Sequence, residues 1–395
     1  MRRAIFRIAA VMLLACGALS AQEAPAATVT SKYESVSASI AELWKAKKYR
    51  QATDILLAFY NTGEFLDLPS DQRMNVAYNL ACGHSLLGLR AKAVSFLQQA
   101  LAAGYRDYYH VMEDTDLDPI RRDPEFLALL AKLKSVGDYE QILRDHAGYA
   151  AQPGLDLPEF TYQGPTESEL REFRRTYRLD EAAGSGDEVS RIINLMRWVH
   201  KTIRHDGNSS NPDPRNALHI LDVCSGGKRG VNCRMLATVL AEAYLAMGFK
   251  SRHITCLPQY ADDPDCHVID IVYAPSLGKW LYMDPSFEAY WRNERGEILS
   301  IAEVRESIIA GRKIVLNKEA NWNGEATDPA WYLQYMSKNL YRFSSPAASE
   351  FGYESKPNAL RICLEPAGTA WKPDTWAATH TTDAERFWRL PAREN

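Results

Sequence analysis

The seven cysteines form no CxxC pair, which leaves zinc-ribbon and thioredoxin-like readings without support. There is no basic excess, and a formal charge of −4 argues against nucleic acid as a partner. No run of 18 or more uncharged apolar residues occurs, so no internal membrane span is predicted. Histidines at a metal-binding helical spacing are missing too. His200 and His205 are five apart and would not share a helix face, and His253 has no evident partner ligand. No metal or cofactor is therefore expected. What is present is 395 residues, 46% hydrophobic and 24% charged, the balance of a soluble globular protein with about two domains.

The first residues, MRRAIFRIAAVMLLACGALSA, place three arginines before an apolar run and then small residues. That pattern predicts a signal peptide over 1–21 and an exported product, periplasmic, envelope-bound or secreted. Leu13–Cys16 also resembles a bacterial lipoprotein cleavage box, which would make a lipid on Cys16 the one membrane attachment. Loss of Arg2, Arg3 and Arg7 would take the charge from −4 to −7. Without Cys16 six cysteines remain, enough for three disulfides, and four of them fall between 224 and 266.

Residues 22–32 read as a flexible leader. From 33 to 145 amphipathic segments come in pairs, broken at Lys47–Lys48 and at Gly88–Leu89–Arg90. In the second pair Ala81, Gly88, Ala93 and Ala100 recur where two helices must approach closely. With Asn79, Leu80 and Leu97 these residues resemble a tetratricopeptide repeat, and the first pair keeps mainly Tyr49 and Ala52. The resemblance implies a helical scaffold that can take a protein partner. Prolines 153, 158 and 165 mark a linker over 146–165. A second domain over 166–395 opens with a capping box predicted from Thr166 and Glu169.

Its core, about 190–292, has a helix near 187–204 and a short one at NALHILDVC. A long apolar helix follows from Cys233, with Gly248 at its end, and then three β-prone runs, FKSRHITCL, CHVIDIVYA and KWLYMDP. One helix leading into antiparallel strands is an α+β arrangement. With Asn232 as N-cap, Cys233 sits at the positive end of the helix dipole, where a thiol ionises more readily. Gly230 is read as leaving room for a substrate. A four-residue loop at 274–277 would put His267 directly opposite Asp284, as suits a base whose tautomer a carboxylate fixes.

The order of Cys233 at a helix start, His267 on the following strand and Asp284 after the next resembles the transglutaminase-like, papain-like thiol superfamily. GVNCRMLATVLAEAYLAMGFKSRHI, CHVIDIVY and KWLYMDPSF carry the likeness, which runs from Trp198 to Trp291. It implies a nucleophile at Cys233, a base at His267 and an orienting acid at Asp284. The acidic calcium site and flanking domains of the animal crosslinking enzymes have no counterpart.

The expected architecture is thus an N-terminal all-α helical repeat module followed by a transglutaminase-like α+β domain, a helix packed on an antiparallel sheet, with a C-terminal extension. The expected function is a thiol enzyme that cleaves or transfers peptide or amide acyl groups; the alternative is a non-catalytic scaffold with an inactive cleft. Asn232 is read first as a cap and second as an oxyanion donor. The turn Asp262–Asp265 is read as a solvated loop. The aromatic-rich segment 321–341 reads as packing before cleft lining. Cys256 and Cys266, flanking a nine-residue loop, are candidates for a disulfide.

Overall fold

The computed structural model describes residues 25–146, 148–260, 263, 265–369 and 378–391. The segment 1–21 expected as a signal peptide, and Cys16 within it, lie outside the described residues. The described chain divides into two units between Ile142 and Leu143.

The first unit is helical, with principal helices Pro25–Lys45, Tyr49–Tyr60, Ser70–Leu86, Arg90–Ala102 and Pro124–Gly137. The first of them corrects the expected leader, because helix runs from Pro25 onward. Ala52, Ala81, Ala93 and Ala100 are fully buried, as small residues at helix crossings should be. Gly88 is not one of these contacts. Its φ of +72° makes it the left-handed residue of the turn between two helices. The close approach is at Gly83, where an added Cβ would lie 2.2 Å from Thr53 Oγ1. Leu56, Phe59, Leu80, Leu97 and Phe126 fill the core behind these small residues.

The second unit is built on a six-stranded sheet. Its strands in chain order are β1 (Ser251–Leu257), β2 (His267–Ala274), β3 (Lys279–Met283), β4 (Arg342–Pro346), β5 (Arg361–Leu364) and β6 (Ala378–Thr381). Their order across the sheet is β6-β5-β4-β1-β2-β3. Every neighbouring pair is antiparallel except β5–β6, which is parallel, so the expected antiparallel sheet is a mixed one. The C-terminal extension supplies half of the strands, and β4 sits at the centre of the sheet.

The Cys233 helix (Cys233–Ala246) is buried along its whole length. Gly248, at φ +83°, ends it in a left-handed turn. Glu242 on this helix accepts hydrogen bonds from the backbone N–H groups of Ala217 (2.7 Å) and Gly352 (2.9 Å), and burial pushes its carboxyl up to about 8.

Two readings of the flanking segments are corrected here. The capping box at Thr166 does not form, because the helix begins at Ser168 without a side-chain cap. One forms instead at Ser300 with Glu303. The stretch expected as a linker is tied down over most of its length. Ala150 N–H bonds to Thr382, Thr161 pairs with Ala348, and Arg386 donates to the carbonyls of Leu155 and Leu157. Phe160 covers the Arg252 guanidinium at 3.5 Å, with the Phe387 and Trp280 rings at 5.0 and 5.7 Å. A buried cation needs such partners, and these rings hold the strap to the sheet.

Candidate active site

Cys233 is the first residue of its helix, and Asn232 caps it by accepting from Met235 N–H (3.3 Å). The other end of the Asn232 amide donates to Asn211 Oδ1 at 2.7 Å, so both ends are engaged within the protein. Behind the thiol, Arg234 donates to Thr255 Oγ1 and lies 3.7 Å from Glu354. Glu354 also meets His253 (2.9 Å) and Arg361 (3.0 Å). Burial opposes its charge, but His253, Arg234 and Arg361 outweigh burial and hold the carboxyl well below its usual range. This buried cluster fixes the start of the helix, and it gives His253 a structural partner.

β2 and β3 pair two residues away from the expected register. Ala274 faces Lys279, and Asp270 faces Met283. His267 and Asp284 are consequently diagonal rather than directly opposed. Their common face survives because side chains alternate with a period of two, and the shift is even. Asp284 lies one residue past β3, in a loop closed by reciprocal backbone bonds with Ala289 (2.9 and 3.0 Å).

Four donors surround the Asp284 carboxylate. Oδ1 accepts from the N–H groups of Ser286 (2.8 Å) and Phe287 (3.3 Å), while Oδ2 accepts from His267 Nε2 (2.6 Å) and the Tyr332 hydroxyl. His267 and Asp284 are fully buried. Burial disfavours the imidazolium, but Asp284 and then Cys233 more than offset it, and the His267 pKa rises to about 10. The Asp284 carboxyl is held below its ordinary value because His267 and the hydrogen bonds outweigh its burial. With Nε2 bound to Asp284, the His267 nitrogen left for chemistry is Nδ1. It makes no well-formed hydrogen bond, and the Cys233 thiol lies close enough to favour its charge.

The structure thus brings together all three residues singled out in the sequence. A helix from the aromatic-rich segment, Pro329–Asn339, completes the surroundings. Tyr332 holds Asp284. Tyr335, one turn on, packs over Cys233, Ala237 and Val268 and sets its ring 5.4 Å from that of His267. Cys233 is 2% exposed beneath it. Lys338 ties the same helix to Asp263 and Asp265, which corrects the reading of that turn as a solvated loop. Glu288 was not singled out by any spacing. It bonds Arg197 (2.8 Å) and Asn321 (3.0 Å), joining the Asp284 loop to the helix Glu188–Thr202 and to the hairpin at 321–326.

Two further sequence readings change. No disulfide joins the six described cysteines. Cys256 directly opposes His267 in the β1–β2 ladder and shares its face, whereas the neighbouring Cys266 lies just before β2. The proposed partners are therefore out of step. The space at Gly230 is taken by protein rather than left for substrate. An added Cβ would lie 2.7 Å from both Arg204 O and Asp206 Cβ. Gly230→Ala should therefore push the 204–206 segment away, at a cost of about 1–3 kcal/mol as in other overpacked sites. Urea unfolding of the variant measures this, and an unchanged midpoint would contradict it.

A thiol at a helix start, an imidazole beside it and a buried carboxylate on Nε2 form a cysteine–histidine–aspartate constellation, the arrangement that nucleophilic thiol chemistry needs. Residues 177–285, which include all three, match the Transglutaminase-like superfamily model, and this part of the chain is a transglutaminase-like domain. A stretch of 63 residues is 36% identical to a chloroplast protein of Arabidopsis thaliana. It covers 16% of this chain and 19% of that one, so less than a fifth of the relative is matched. Among solved structures, a protein of Cytophaga hutchinsonii described as a candidate cysteine protease aligns at 16% identity. That alignment covers 43% of this chain and 57% of the other, with a TM-score of 0.25. The helix carrying Tyr332 and Tyr335 lies beyond the matched family region.

Proposed function

We propose that the chain is a thiol enzyme that forms an acyl-cysteine at Cys233 from a peptide or amide substrate and passes the acyl group to water or an amine. The observation that carries this reading is the buried His267–Asp284 pair, with Nδ1 left over beside Cys233. In this mechanism the Cys233 proton resides on Nδ1, as the raised His267 pKa favours, and the sulfur adds to the carbonyl carbon. The leaving amine departs with the proton from Nδ1, and water or a second amine then attacks the thioester, again deprotonated by His267. Asp284 keeps Nε2 as the proton-bearing donor throughout, so Nδ1 is the nitrogen that exchanges protons. The helical unit is proposed to carry a protein partner.

The test is covalent trapping with an activated ester, p-nitrophenyl acetate. Intact-mass measurement should show one acetyl group, mapped to Cys233 and removed by hydroxylamine. Acetylation distributed over lysines with Cys233 unmodified would oppose the assignment. Export is part of the same proposal, motivated by the arginines and apolar run of residues 1–21. A reporter fused to residues 1–30 should cross the inner membrane, and retention of the unprocessed fusion in the cytoplasm would overturn that part.

A further inference from the structure

Acyl transfer at a thiol places negative charge on the carbonyl oxygen, and donors aimed at that oxygen supply much of the rate. The Cys233 helix offers first-turn backbone N–H groups, which in any helix lack intrahelical acceptors. A side-chain donor is the missing part, and the Asn232 amide is already engaged at both ends.

His205 is 2% exposed and bridges to Val231, two residues before Cys233. Its backbone is clamped from both sides by Asn323. The His205 N–H donates to Asn323 Oδ1 (2.9 Å), and Asn323 Nδ2 donates to the His205 carbonyl (3.0 Å). Its ring is set by the next residue back, because the Trp322 indole donates to His205 Nδ1 at 2.9 Å. An indole N–H can only donate, so Nδ1 must present its lone pair and the ring proton resides on Nε2. That Nε2 is buried and has no partner among the described residues. Burial first, and then the neighbouring His267, lower the His205 pKa to about 4, while Asp284 works the other way. The ring is neutral at physiological pH, and it lies within electrostatic range of both members of the pair.

We propose that the His205 Nε2–H is a hydrogen-bond donor to the substrate oxyanion at this site. The inference rests on the acyl-cysteine reading above. When Cys233 adds to the carbonyl carbon, the π pair moves onto oxygen, and His205 receives it with a hydrogen bond and no proton transfer. On collapse the pair returns to carbon–oxygen and the leaving group departs. A buried N–H without an acceptor is costly, so a fold that keeps one and locks its tautomer has prepared it for an acceptor from outside. Neutral imidazole serves as such an electrophile in other enzymes, where it avoids placing a second cation beside the base.

The experiment compares two reactions of Cys233 in the full-length protein. Acylation by p-nitrophenyl acetate passes through an oxyanion, whereas alkylation by iodoacetamide does not. His205→Phe should slow acylation about 10²–10³-fold and leave alkylation at its wild-type rate. His205→Gln, whose amide nitrogen reaches the position of Nε2, should recover most of the lost acylation rate. Parallel loss of both reactions in His205→Phe would mean a structural role, and unaltered acylation would mean none, so either result overturns the proposal. Wild-type protein that alkylates at Cys233 but never acylates there would instead sink the acyl-cysteine reading itself.

Discussion

Cys233→Ala is expected to abolish turnover of every acyl substrate the wild-type protein uses. The loss should be on the order of 10⁶-fold, as when the nucleophile is deleted from a serine triad. Its fold should barely change. Cys233 packs only a small side chain against Ala237, Val268 and Tyr335, and the substitution removes a single sulfur atom. A cost of about 1 kcal/mol is the scale for that cavity. Steady-state kinetics together with urea unfolding separate the two effects. Full activity in this variant would remove Cys233 from the chemistry, and global unfolding would give it a structural role that its packing does not suggest.

Asp284→Asn should cost about 10⁴-fold in kcat, the scale seen when the acid of a triad becomes its amide. The reason lies in the loop that holds it. Ser286 and Phe287 N–H groups both point at Oδ1, so the amide oxygen of an asparagine must stay there to accept them. The amide nitrogen is then forced toward His267 Nε2 and Tyr332. Its N–H groups oblige Nε2 to accept, which moves the imidazole proton to Nδ1, the nitrogen needed to take the Cys233 proton. The variant should stay folded, since all four neighbours can still bond, Nε2 and the Tyr332 hydroxyl oxygen now as acceptors. Stopped-flow acylation of Cys233 measures the effect. A variant that acylates at the wild-type rate would show that Asp284 does not set the tautomer.

Much of the site was legible because its signals are local. A polar cap before Cys233, an apolar helix after it and a glycine at its end identify the helix without tertiary information. Alternation over His267–Ala274 and Lys279–Met283 identifies the strands, and parity alone puts His267 and Asp284 on one face even though the pairing register differs from the expected one by two. What stayed hidden depends on long-range pairing. The strand Arg342–Pro346 and the helix Pro329–Asn339 follow an aromatic-rich stretch whose composition suits packing and cleft alike. Nothing near Tyr332 announces that its hydroxyl will reach a carboxylate 48 residues earlier in the chain. His205 looked bland for a similar reason, because its tautomer is set by a tryptophan 117 residues away. The cysteine staple failed because strand ends alone do not show which residue faces which.

The central claim is that His267 and Cys233 act as one unit, and labelling of the thiol tests it most directly. Wild-type protein and His267→Ala are each incubated with iodoacetamide at neutral pH, and modification of Cys233 is followed by peptide mass spectrometry. The account predicts rapid labelling of Cys233 in the wild type and its near-complete loss in His267→Ala, with circular dichroism unchanged. Equal labelling of Cys233 in both proteins would contradict it.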